Sequence, residues 1–109
     1  MSEQKTKGPA KHYQDLTASF PEVLTAVENL GETVRSAGPV DPKTSELVQL
    51  AAAAATGSTG SVRSHARKAL QAGASKEEVQ HTLLLLISTI GFPQVAAALF
   101  WVKEILDEA

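Results

Sequence analysis

The chain has 109 residues, 43% of them hydrophobic and 20% charged, with 10 basic and 12 acidic side chains and a formal net charge of −2. A chain of this size is one domain with a modest core, and its balanced charge gives no electrostatic footprint for nucleic acid. It contains no cysteine, which excludes disulfides, thiolate zinc sites and thiol chemistry and makes a cytoplasmic location the expectation. The polar start, MSEQKTKGPA, lacks the apolar stretch of a signal peptide. The longest apolar run, around Val95 to Val102, is far short of the ~20 residues that span a bilayer, so no membrane partner is expected.

Residues 1–9 read as a tail and residues 10–109 as a single domain. A short helix is expected from Lys11 to about Phe20. Pro21 suits the first turn of a second helix, in which Val23, Leu24, Val27 and Leu30 form one apolar stripe, with Gly38 and Pro39 ending it. The third helix opens with Asp41 as N-cap and Pro42 at its first position, and closes at Gly57. A fourth, GSVRSHARKALQAG, runs to Gly73 and carries Arg67 and Lys68 late, where cations suit the helix dipole.

The stretch ASKEEV is a capping box, with Ser75 and Glu78 as reciprocal partners and Ala74 and Val79 at the hydrophobic-staple positions. A helix from Lys76 to about Ile90 and a last helix from Pro93 to about Asp107 are apolar nearly all round. No strand alternation persists anywhere, so the fold class is all-α with short connections. A small domain cannot bury two such helices on every face, and the surplus points to a homo-oligomer.

Chemistry concentrates on the fourth helix. Ser58, Ser61 and His65 stand three and four residues apart and share one side of its first two turns. The first-turn amides near Ser58 to Ser61 suit a carboxylate or a developing oxyanion. A histidine one turn further on can exchange a proton with what binds there. Glu46, on a side of the preceding helix shared with Gln49, Leu50 and Ala53, is the carboxylate placed to face it if the two helices form an antiparallel pair. Against this stands the plainer reading of His65 as a satisfied or solvated residue. His12 reads as a surface residue, and His81, in a helix whose polar side includes Ser88, as a residue lining a pocket. No nucleophile elbow surrounds Ser61, which argues against a serine hydrolase. The three histidines form no short ligand motif, so no metal is expected.

At these residues the chain resembles the carboxymuconolactone decarboxylase family, which shares the alkylhydroperoxidase D-like fold. The resemblance rests on DPKTSELVQLAAAAATG, HARKALQAGASKEEVQHTLLLL and GFPQVAAAL, from about Asp41 to Leu99. It implies a bundle of about five to six helices, assembled as a trimer or as a hexamer of paired trimers. In the peroxidase branch a glutamate, two cysteines and a histidine form a proton-relay site. The glutamate falls on Glu46, the histidine on His65, and the cysteines on Ser58 and Ser61. A serine hydroxyl cannot attack a hydroperoxide as a thiolate does, so thiol peroxidase activity is not expected.

The decarboxylase branch needs no cysteines. There the resemblance implies loss of carbon dioxide from a small carboxylated lactone without a cofactor, with His65 and Glu46 catalytic and the amides near Ser58 to Ser61 an anion site. Together with His81, read from its helix alone, Ser58 and Ser61 are the candidate substrate-binding residues. Two departures from that branch stand out. Thr89 replaces an aromatic residue two before the glycine of the G-x-P motif, and soon after the motif, where a histidine is common, the chain offers only Gln94 and apolar residues. The alternative is a catalytically silent oligomer of the same fold that binds a small ligand or a partner.

Overall fold

The computed structural model describes residues 8–109, and among them it is all-α. Six helices of nine or more residues and one four-residue turn account for the secondary structure. Of the expected tail, residues 1–7 lie outside the described residues. The described residues form two compact units, one ending at Pro39 and the other starting at Val40.

The first unit holds α1 (Gly8–Ser19) and α2 (Pro21–Ser36). Phe20 alone separates them. Its N–H donates to the Leu16 carbonyl at 2.7 Å, and its own carbonyl accepts from Leu24 N–H at 3.0 Å. Pro21 follows at a position where a missing N–H costs nothing. The Tyr13 hydroxyl donates to the Glu28 carboxylate and ties α1 to α2. That bond holds the Tyr13 hydroxyl proton more tightly and raises its pKa.

The apolar stripe expected on α2 divides. Leu24 is buried, whereas Val23, Val27 and Leu30 are exposed and are joined by an exposed Val34. Helical geometry explains the split, because adjacent residues project about 100° apart and Leu24 leaves the line of the other three.

The second unit holds α3 (Pro42–Thr56), α4 (Thr59–Gln71), α5 (Lys76–Leu84), α6 (Ile87–Ile90) and α7 (Phe92–Glu108). Helices α3 and α4 form an antiparallel hairpin whose facing residues are small: Ala53 and Ala54 on one side, Val62, Ala66 and Ala69 on the other, all buried. Small side chains let the two axes approach closely. Leu50, Val79, Leu83, Val95 and Val102 complete the core around them.

The hairpin turn needs Gly57, whose φ of 72° is the left-handed conformation that a β-carbon disfavours. Its N–H donates to Ala54 O and the next N–H, of Ser58, reaches back to Ala53 O at 3.0 Å. This is a Schellman closure. Gly73, φ 105°, ends α4 with the same pattern, and the Ala74 N–H bonds Ala69 O at 2.9 Å.

At α5 the capping box is complete. Ser75 Oγ accepts from Glu78 N–H at 3.0 Å, and Glu78 Oε1 accepts from Ser75 N–H at 2.9 Å. Ala74 and Val79 are both buried. Lys43, from the first turn of α3, reaches the same carboxylate at 3.1 Å.

The helix expected over Lys76 to Ile90 is not continuous. It closes at Leu84, and Leu86 N–H bonds the Leu83 carbonyl three residues back. The tightened turn ends α5 without proline or glycine, and α6 follows as a single turn. Ser88, expected on the polar side of the His81 helix, therefore belongs to α6. The expected apolar surplus is present: Leu85, Phe92 and Phe100 are exposed, at 61%, 62% and 74%.

The capping box generates a prediction about acid stability. The Ser75 N–H first, and then Lys43, hold the Glu78 carboxyl below its ordinary pKa. A depressed folded pKa stabilises the fold above the unfolded value, about 4.3, and that contribution disappears as the pH falls through the lowered one. Glu78→Gln keeps an acceptor for the cap and removes the proton. Denaturant titrations between pH 6 and pH 3 should therefore show a shallower acid loss in Glu78→Gln than in the wild type. Equal acid slopes would contradict this.

Candidate active site

The site is built by the register of the α3–α4 hairpin. Asp41 fixes the start of α3, its Oδ2 accepting from Thr44 N–H at 3.1 Å, and Pro42 pre-sets the first turn. From that start Glu46, Leu50 and Ala53 fall on one buried side at i, i+4 and i+7. Glu46 is the one charged residue in the buried class among the described residues, 7% exposed. Across the hairpin, α4 buries Val62, Ala66 and Ala69, and His65 flanks that stripe.

The antiparallel pairing set at Gly57 brings Glu46 and His65 level. His65 Nδ1 lies 2.8 Å from Glu46 Oε1, with the two side chains 18% and 9% exposed. A carboxylate removed from water in this way is costly unless it is hydrogen-bonded, and an imidazole N–H is a fitting donor. With Nδ1 occupied by Glu46, Nε2 is the ring nitrogen left to exchange a proton with a bound molecule.

The other residues singled out in the sequence are placed as follows. Ser58 is half-buried at the N-cap of α4, and its hydroxyl makes no capping bond. Ser61 is exposed one turn before His65. The first intrahelical bond of α4 runs from Val62 N–H to Ser58 O, so the amides of Thr59, Gly60 and Ser61 precede the helical ladder. His81 is exposed in the last turn of α5, and His12 is exposed on α1. Arg63 turns away toward α7, bonding Trp101 O at 3.0 Å and Glu104 at 2.9 Å, while Arg67 is exposed. No group of three or more His, Asp or Glu side chains among the described residues is arranged to hold a metal ion. None of the described helices is long and apolar enough to cross a membrane.

One residue near the hairpin turn gained its role only in three dimensions. Gln94, in the first turn of α7, donates from Nε2 to Ala54 O at 2.9 Å and so clamps the C-terminal end of α3. A β-carbon on Gly57 would stand 3.4 Å from the same nitrogen. The sequence signal was its place directly after GFP, which marks a helix start but not the reach of its side chain.

Comparison with known proteins gives a consistent result. The model of the carboxymuconolactone decarboxylase family matches residues 21–104. An uncharacterized protein of Methanocaldococcus jannaschii is 30% identical over 100 residues, covering 92% of this chain and 94% of that protein. The crystal structure of an apo carboxymuconolactone decarboxylase family protein from Legionella pneumophila superposes with a TM-score of 0.78 at 26% identity. It covers 94% of this chain and 91% of the other.

A double-mutant cycle tests the coupling of the pair. Glu46→Gln and His65→Asn, singly and together, should give a coupling free energy of about 1–3 kcal/mol by chemical denaturation. Additive effects of the two substitutions would show that the pair does not act as a unit.

Proposed function

We propose that this chain, which belongs to the carboxymuconolactone decarboxylase family, is a carboxy-lyase acting on a small carboxylated ring or lactone by proton transfer through His65 and Glu46. The observation that carries this reading is the 2.8 Å contact between His65 Nδ1 and the buried Glu46 carboxylate. A carboxylate that holds one ring nitrogen fixes the orientation of the imidazole and stabilises its charged form during transfer.

The chemistry follows from the substrate class. In a lactone acid whose carboxylate is carried by a saturated ring carbon, next to a ring C=C conjugated with the lactone carbonyl, the bond to the carboxylate breaks. Its electron pair moves through the C=C onto the lactone carbonyl oxygen, and carbon dioxide leaves. The resulting dienolate takes a proton at a ring carbon from Nε2–H of the His65 imidazolium, and water returns that proton to the ring. The lactone carbonyl is itself the electron sink, so the reaction draws on no metal or cofactor. The first-turn amides of α4, with Ser58 and Ser61, supply donors for the substrate carboxylate or the developing oxyanion. His81 is a further candidate for substrate contact. In keeping with the resemblance, the working form is a homo-oligomer, a trimer or a hexamer.

A second reading is favoured by Gln94. Its amide is committed to Ala54 O, and the stretch soon after the G-x-P motif, where the decarboxylase branch tends to place a histidine, otherwise offers only apolar residues. A silent oligomer that binds a small ligand or a partner would keep the hairpin and lack the second imidazole.

An activity assay separates the two readings. Purified protein should release carbon dioxide from 4-carboxymuconolactone or a related unsaturated lactone acid, and His65→Asn and Glu46→Gln should each lower kcat by about 100-fold or more. Alkyl hydroperoxide with a dithiol should not be turned over, since the chain has no thiol. No decarboxylation across such a panel, or activity indifferent to both substitutions, would favour the silent protein.

A further inference from the structure

Gln94 reaches the α3–α4 turn from α7, and one hydrogen bond orients its amide there. Nε2 donates to Ala54 O at 2.9 Å, and a β-carbon on Gly57 would stand 3.4 Å from the same nitrogen. A backbone carbonyl can only accept, so the amide has one permitted orientation, with its nitrogen on Ala54 O and its oxygen turned from it. The side chain starts from a fixed base. Pro93 sets the first turn of α7, and Val95 and Ala98 are buried in the core.

That orientation leaves Oε1 as an acceptor beside the turn. Among the described residues of the second unit none donates to it, although Gln94 is half-buried. Gly57 is followed at once by Ser58, the head of the stripe that Ser58, Ser61 and His65 form along α4. At the same end the amides of Thr59, Gly60 and Ser61 are donors outside the helical ladder. The turn therefore presents an acceptor and donors side by side. A ligand carboxylate is repelled by the amide oxygen and drawn to the N–H groups. The ligand group that meets Oε1 has to donate, because an acceptor cut off from water and left unpaired weakens binding.

We infer that Gln94 determines specificity, its Oε1 selecting a small ring acid that carries a hydroxyl or N–H group besides its carboxylate. The inference rests on the reading of the α3–α4 hairpin as a ligand site. It holds whether that site turns its ligand over or only binds it. One side chain then has two tasks: Nε2 clamps the end of α3, and Oε1 reads the ligand.

Binding of non-reacting ring acids to the full-length protein tests it, followed by the amide signals of Gly57 to Ser61 in ¹H–¹⁵N spectra. At least one of the three hydroxybenzoates should bind the wild type about tenfold more tightly than benzoate. Gln94→Leu, with neither donor nor acceptor, should bind that hydroxybenzoate and benzoate equally. Gln94→Lys keeps a donor for Ala54 O and removes the acceptor. It should instead prefer the benzenedicarboxylate with a second carboxylate in place of the hydroxyl, and it decides the matter if loss of the clamp unfolds Gln94→Leu. A wild type that binds benzoate as tightly as every hydroxybenzoate, or binds none of them, would overturn the inference. So would a hydroxyl preference that survives in Gln94→Lys. Carbon dioxide is not measured here, so a hydroxyl preference without decarboxylation keeps this inference and removes only the lyase.

Discussion

The second unit of this protein is organised around a carboxylate that has been taken out of water. Glu46 is buried in the same side of α3 as Leu50 and Ala53, and an isolated ionised carboxyl there would cost several kcal/mol. His65 offsets that penalty at 2.8 Å, which requires α4 to run antiparallel to α3 with one particular register. A slip of one residue along the hairpin rotates His65 by about 100° and breaks its contact with the carboxylate. The pair therefore constrains the fold as much as the fold presents the pair.

That register depends on how closely the two helices approach and on where the chain turns. Alanine at 53, 54, 66 and 69 removes side-chain bulk from the interface. The left-handed Gly57 makes the reversal in two residues, and Gln94 holds the last turn of α3 from α7. Helix α4 also leaves Arg63 to anchor α7 through Trp101 O and Glu104. Both helices of the hairpin are thus tied to α7 near the turn.

Much of this was legible in the sequence because it rests on local rules. Asp41–Pro42, Gly57, Gly73 and the Ser75–Glu78 box each act within a few residues, and each marks a helix end in the structure. The all-α class followed from the lack of strand alternation, and the family from the runs around Gly57, His65, Ser75 to Glu78 and Gly91. What was not legible depended on tertiary demands. The break after Leu84 has no proline or glycine to announce it. Leu24 and Val23 are neighbours of like chemistry, and only packing decides that one is buried and the other exposed. The clamp by Gln94 spans 40 residues of sequence, beyond the reach of any local pattern. The pairing of Glu46 with His65 lay between these cases, since helix periodicity placed each on a suitable side while only the hairpin register joined them.

The central claim is that Glu46 holds His65 by Nδ1 and leaves Nε2 for proton exchange. A long-range ¹H–¹⁵N correlation spectrum of the histidine rings reads this directly, with His12 and His81 as exposed references. In the neutral form of the ring, His65 should carry its proton on Nδ1, with Nε2 bare, and Glu46→Gln should abolish this preference. A His65 ring protonated on Nε2, or a tautomer pattern unchanged in Glu46→Gln, would contradict it.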